Sequence, residues 1–197
     1  MQHMKNVMIL SYNGFATTGT ANYVSSMSVD STFEDYLLVS EEEIIQNIEE
    51  EGRYSVFQIA DWFLSKAPMT PKKLQKLCYY AQAWCYAIKG YRLMDTDFQA
   101  WVHGPVSPAL YEKFKSFGYN AIKLTKSTPH EILEEDIELL SDVWETYGDK
   151  TGNELEMLTH REAPWQEARR GYATGDRCTV VINPDTMKTF YKSIYVG

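Results

Sequence analysis

From residue 54 onward apolar residues return every three or four positions, and each run opens on a residue able to cap a helix. Ser55 with Gln58 forms a capping box, followed by Ile59, Trp62 and Phe63 on one face and stopped by Pro68. Thr70 and Pro71 open the next helix, Thr as N-cap and Pro in the first turn, where its missing N–H costs nothing. Along it Leu74, Leu77, Cys78, Ala81, Trp84, Cys85 and Ile88 recur until Gly90, which predicts the central buried helix. Ser107-Pro108 opens a helix with Leu110, Tyr111, Phe114 and Phe117, closed by Gly118. Thr128-Pro129 with Glu131 opens another, carrying Ile132, Leu133, Ile137, Leu140, Val143, Trp144 and Tyr147 up to Gly148. Thr151 with Glu154 caps a short helix through Leu158, Pro164-Trp165 begins a further turn, and Asn183-Pro184 opens the last helix, with Met187, Phe190, Tyr191 and Ile194. One stretch breaks the rhythm. Phe98, Ala100 and Val102 alternate with Gln99, Trp101 and His103, a period of two that predicts an extended segment over 98–103, ended by Gly104-Pro105. The pattern as a whole predicts a mainly α domain, a compact bundle of six or seven helices.

The first 35 residues carry no helical period and are rich in Ser and Thr, with room for one short strand over 4–10. Ser40 with Glu43 then reads as a capping box for a short helix with Ile44, Ile45 and Ile48, closed by Gly52. Gly52-Arg53 is the expected boundary between an appendage, 1–52, and a helical domain, 53–197. Charge supports that division. Residues 1–52 carry a net charge of −8, residues 53–130 of +7 and residues 131–197 of −7, so the excess acidity of the chain lies in the appendage. Blocks such as Glu41-Glu42-Glu43 and Glu49-Glu50-Glu51 repel a phosphate backbone and suit a basic protein surface. Nucleic acid is therefore not the expected partner.

Composition narrows the class further. The chain has 197 residues, 44% of them hydrophobic and 14% aromatic, enough for a substantial core. Its longest apolar run, over 7–10, is far below the roughly 20 residues that span a bilayer, and no signal-like core follows a basic start, so a cytoplasmic protein is expected. Three cysteines are an odd number without metal-like spacing. Cys78 and Cys85 fall on one helical face about 10 Å apart, too far to bridge. Neither a disulfide nor a zinc site is expected.

The chemistry of catalysis has little to work with. There is no Gly-rich phosphate loop, no nucleophile elbow and no metalloprotease motif, and no cofactor is expected. A cysteine nucleophile would need Cys78, Cys85 or Cys178 beside His103 or His160, yet Cys78 and Cys85 sit on an apolar stripe. His103 and His160 adjoin turns, where hydrogen bonding to the backbone is the ordinary role. Lys66, Lys72, Lys73, Lys76, Lys89 and Arg92 lie among Tyr79, Tyr80, Tyr86 and Tyr91, a combination open to nucleic acid or to an acidic protein. Those tyrosines fit an interface or an amphipathic cover over the core edge equally well.

Three separated stretches carry a resemblance. Thr70-Pro71-Lys72-Lys73-Leu74-Gln75-Lys76-Leu77-Cys78-Tyr79-Tyr80-Ala81-Gln82-Ala83-Trp84 is the first. Ala100-Trp101-Val102-His103-Gly104-Pro105-Val106 with Leu110-Tyr111 is the second. Leu158-Thr159-His160 followed by Ala163-Pro164-Trp165-Gln166-Glu167-Ala168-Arg169 is the third. In this order they resemble the Panacea domain, the family of SocA-like and GepA-like phage-associated antitoxins, over residues 55 to about 195. The resemblance implies a mainly helical domain that neutralises a cognate protein toxin by direct contact, without catalytic residues, and in some members delivers the toxin to a protease. Carried over residue by residue, it implies structural roles for Leu74, Leu77, Tyr80, Ala81 and Trp84 in the helix, Gly104 and Pro105 in the first turn, and Thr159 and Pro164 in the second. Tyr79, Tyr86, Tyr91, Trp101, His103, Tyr111, His160 and Trp165 are the candidate partner-binding residues. Cys85 departs from relatives that carry a histidine after the tryptophan. The function expected is a non-enzymatic antitoxin; the alternative is a phage or prophage anti-defence protein that binds a host defence effector such as a nuclease. An enzyme using His103 or His160, and an autoregulatory DNA binder, are the weaker readings.

Overall fold

The computed structural model describes residues 7–8, 37–38, 51–124 and 132–195, and the chain divides into two units, Met1–Glu50 and Glu51–Gly197. In the first unit β1, Val7–Met8, pairs in parallel with β2, Leu37–Leu38, Val7 opposite Leu37. The strand expected over 4–10 is thus present and has a partner. The helix expected from Ser40 lies outside the described residues.

The described residues of the second unit form seven α-helices. Most start where local chemistry places them. In α1, Val56–Lys66, Ser55 and Gln58 complete the capping box on both sides. In α2, Pro71–Trp84, the Thr70 hydroxyl accepts from the Lys73 N–H. α3, Pro108–Phe114, is capped by Ser107, α5, Gly152–Thr159, by the Thr151–Glu154 box, and α7, Pro184–Ile194, by Asn183. α6 is the short helix Ala163–Ala168. α4, Glu134–Tyr147, places three acids in its first turn, where they complement the helix dipole.

Helix α2 is the axle of the domain. Helices α1, α3, α4, α5 and α7 and a β-strand all pack on it, so it is buried all round and not along one stripe. Leu74, Leu77, Cys78 and Ala81 are core residues as expected, and Tyr79 and Tyr80 join them. Tyr80 stacks on Tyr147 at 3.9 Å, and Tyr191 meets Tyr79, Tyr80 and Trp84 edge-on. Trp84 itself is half-buried, its Nε1 donating to the Tyr147 hydroxyl at 3.1 Å.

Ile88, Phe117, Ile137 and Ile194, all expected on apolar stripes, are exposed, Phe117 in the short 3-10 turn after α3. After Trp84 the helix widens into a π-helical turn, Cys85–Lys89, closed by the Gly90 N–H on the Cys85 carbonyl. The wider turn shifts the register, so Ile88 is 42% exposed. The expected start at Thr128-Pro129 lies outside the described residues, but Ile132 and Leu133 precede α4, with Leu133 as its N-cap. Ile137, in the first turn of α4, is exposed because that helix turns Asp136, Leu139, Leu140 and Val143 inward, and Ile194, the last residue of α7, is exposed as well.

The extended segment proves to be one arm of a hairpin. β3, Gln99–Trp101, pairs antiparallel with β4, Gly104–Val106, Ala100 opposite Pro105 and Trp101 opposite Gly104. Val102 and His103, expected in the strand, form the turn instead. Phe98 and Ala100 face the core.

Candidate functional site

Three polar side chains on α2 decide where the hairpin sits. All are buried, and all bind backbone. The Gln75 amide donates to the Ser107 carbonyl at 3.0 Å and accepts from the Ser107 N–H at 2.8 Å. Gln82 accepts from the Met94 N–H at 2.9 Å, and the Lys76 Nζ donates to the Pro105 carbonyl at 3.0 Å. Each satisfies a backbone group that burial would otherwise strand, and together they fix both ends of the segment holding the hairpin.

The turn is held from a second side by α5 and α6. Glu156 accepts from Lys72 Nζ at 2.6 Å and lies 2.8 Å from His103 Nδ1, tying the first and second sequence motifs to the helix that leads into the third. Burial pushes the Glu156 carboxyl upward, but the hydrogen bonds from Lys72 and His103 outweigh it and leave the group below the ordinary carboxylate range. The Trp165 Nε1 donates to the Trp101 carbonyl at 3.0 Å, and the Trp165 ring stacks on His160 at 4.0 Å. Burial lowers the His160 imidazole, against the opposing charge of Glu156. Buried Arg169 donates to the carbonyls of Ala100, Ala173 and Asp176, with its guanidinium 5.1 Å from the Trp165 ring.

What this frame leaves outside is a surface of aromatic and imidazole groups. Trp101 is half-buried and meets Tyr111 edge-on at 4.9 Å; Tyr111 is exposed, and the His103 side chain is 71% exposed. His160 and Trp165 are half-buried beside them. Five of the eight candidate partner-binding residues therefore belong to one neighbourhood, built on the hairpin turn.

The other three do not join it. Tyr79 is a core residue with no exposed surface, which removes it as a contact. The Tyr91 hydroxyl is committed to the Asp136 carboxylate and accepts from Arg53, whose guanidinium covers its ring at 4.0 Å. Tyr86 is half-buried against the core. The basic stretch is dismantled in the same way: Lys76 and Tyr80 are buried, Lys72 is paired, and Lys73 donates to the Gly148 carbonyl. Of the residues given structural roles, Gly104, Pro105, Thr159 and Pro164 are buried at this turn. Gln75, Lys76, Gln82, Glu156 and Arg169 organise the site without having announced it. For Gln75, Lys76, Gln82 and Arg169, their place inside the motifs is the one signal that could have drawn attention to them; Glu156 lies outside the motifs and carried none.

The thiols of Cys78 and Cys85 are buried and pushed above their ordinary range by desolvation. Among the described residues no group of three His, Cys, Asp or Glu side chains is placed to hold a metal ion, and no helix is long and apolar enough to cross a membrane.

Lys76 makes the site's packing visible to pH. Burial pulls its ammonium down to about 7 from the 10.5 of a solvated lysine, although Glu156 opposes the shift. The unfolded chain then binds this proton more tightly than the folded one, so stability rises as pH climbs from about 7 towards 10.5. Buried cysteines and tyrosines, whose shifts are upward, act with the opposite sign from about pH 8 upward. Urea midpoints should therefore show a gain of about 1 kcal/mol between pH 7 and 8. The Lys76→Met variant should lack that gain.

The comparisons with known proteins follow this geometry. Residues 74–166 match the family model of the antitoxin SocA-like Panacea domain, a span that contains most of α2, the hairpin, α5 and Trp165. The chain is similar to Antitoxin SocA of Caulobacter vibrioides (strain NA1000 / CB15N), 29% identical over 134 residues, which cover 59% of this chain and 71% of that protein. No solved structure matches the chain. The matched span is the one whose motifs close on the hairpin turn, and over it the chain is similar to the SocA-like Panacea domain.

Proposed function

We propose that the chain is an antitoxin that neutralises a protein toxin by direct binding, without catalysis, through the surface at the hairpin turn. The observation that carries this reading is the convergence of three motifs on one exposed aromatic patch, in a domain similar to an antitoxin. In the frame beneath the patch Gln75, Lys76 and Arg169 bind backbone, and Lys72 and His103 meet Glu156. What it presents outward is Tyr111, Trp101 and His103, side chains that give large contact area at small entropic cost. The acidity of residues 1–52 adds long-range attraction for a basic partner.

Tyr111 separates binding from folding because it is 42% exposed. Tyr111→Ala should leave thermal unfolding nearly unchanged and weaken capture of the protein encoded by the neighbouring reading frame by about tenfold or more, the effect of losing an aromatic anchor. Titration calorimetry with the wild type and the variant checks it. Equal affinities would place the interface elsewhere.

A further inference from the structure

Strand β3 is paired on both sides. Beyond β4, the short segment 180–182 lies along its other edge: the Ala100 N–H donates to the Val180 carbonyl at 2.9 Å, and the Ile182 N–H donates to the Phe98 carbonyl at 2.8 Å. Val181 stands opposite Gln99 in antiparallel register. In that register Val180 and Ile182 spend backbone groups on β3, while Val181 turns its own N–H and carbonyl away from the sheet. All of β4 is buried, so the open edge of this sheet is the one at Val181.

That edge is not blunted. Thr179, Val180 and Val181 are exposed, Val180 at 40% and Val181 at 44%, and all three are β-branched. Lysine, proline or a bulge would ordinarily guard such a position. Val181 opposes Gln99, whose side chain shares a sheet face with Trp101 and accepts from the Trp101 Nε1 at 2.8 Å. The edge thus adjoins the aromatic surface already described. Arg177, two residues before Thr179, is exposed and makes no salt bridge with a described residue.

We propose that this edge receives an extended segment of the partner protein as an added strand, with a β-branched or aromatic residue on the Trp101 side of Val181 and an acidic residue facing Arg177. The inference rests on the reading of the domain as a protein binder and names how the partner is held. Backbone pairing at Val181 supplies affinity, and the Trp101 face and Arg177 supply selection.

The test uses the full chain as bait for a displayed library of random peptides about ten residues long, enough for one strand. Enriched peptides should alternate apolar with polar residues, carry an acid, and slow hydrogen exchange of the Val181 amide at least about tenfold. Val181→Pro removes the outward N–H at a position where an edge tolerates proline, and should weaken these peptides about tenfold while Val181→Thr retains them. Should Val181→Pro fail to fold, the exchange of the Val181 amide in the wild type decides alone. The proposal is overturned if nothing is enriched, if Val181 exchange is unchanged, if a folded Val181→Pro binds the peptides equally, or if the edge is already occupied by a second copy of the chain. Peptides lost on Tyr111→Ala but kept on Val181→Pro would overturn the edge and leave the hairpin surface standing.

Discussion

Replacing Asp136 by alanine is expected to destabilise the domain by about 4 kcal/mol, the range for breaking a buried charge pair from one side. Asp136 has no exposed side-chain surface and accepts three hydrogen bonds, from Arg53 at 3.0 Å, from the Tyr54 hydroxyl at 2.7 Å and from the Tyr91 hydroxyl. The Tyr54 hydroxyl in turn accepts from the Leu133 N–H at 3.0 Å. One carboxylate therefore fastens the start of the domain, the loop after the π-helical turn and the start of α4. Without it, two hydroxyls lose their acceptor, and the carboxylate left to Arg53 is the exposed Glu135 at 2.6 Å. Asp136→Asn retains an acceptor oxygen but not the charge, so its loss should be about half as large. Urea unfolding of the three proteins checks both size and order. A loss below about 1 kcal/mol would mean that the network is an ordinary surface pair.

Gly104→Ala should cost about 3 kcal/mol, and Gly171→Ala provides its control. Both glycines have φ of +92°, so alanine meets similar backbone strain at each, about 1 kcal/mol or slightly more. The surroundings differ. A methyl group at Gly104 would lie 2.8 Å from the Lys76 Cε and 2.8 Å from the Thr159 Oγ1, whereas at Gly171 it would meet nothing within 4 Å. Lys76 cannot swing aside, since it is buried and its Nζ is held by the Pro105 carbonyl. Overpacking there adds about 2 kcal/mol. The two unfolding curves should differ by that amount, and equal losses would show that the hairpin can shift away from α2.

The helices were largely legible because their signals are local. Ser55, Thr70, Ser107, Thr151 and Asn183 cap the N–H groups of the next few residues, and no distant contact is needed to read them. Burial was legible only where one face of a helix meets one neighbour. Gln75, Lys76 and Gln82 look like a solvated face of α2; they are buried because a segment some 12 to 32 residues away supplies carbonyls and N–H groups to receive them. Tyr79 misleads for the same reason, since the cover over it comes from Phe98 and Tyr191. The π-helical turn has no local marker, so Ile88 keeps its place in the period and loses its place in the core. At the hairpin turn, the motifs converge on one neighbourhood, while the contacts within it depend on a turn geometry that alternation alone cannot reveal. His103 reads as a strand residue until Gly104 bends the chain before it can pair.

Neutralisation of a toxin by direct binding is best tested by growth of cells that express the protein of the neighbouring reading frame, alone and together with this chain. The neighbour should arrest growth, the wild-type chain should restore it, and Tyr111→Ala should restore it poorly despite intact folding. A neighbour that is harmless alone, or a toxicity that the wild-type chain does not relieve, would contradict that reading.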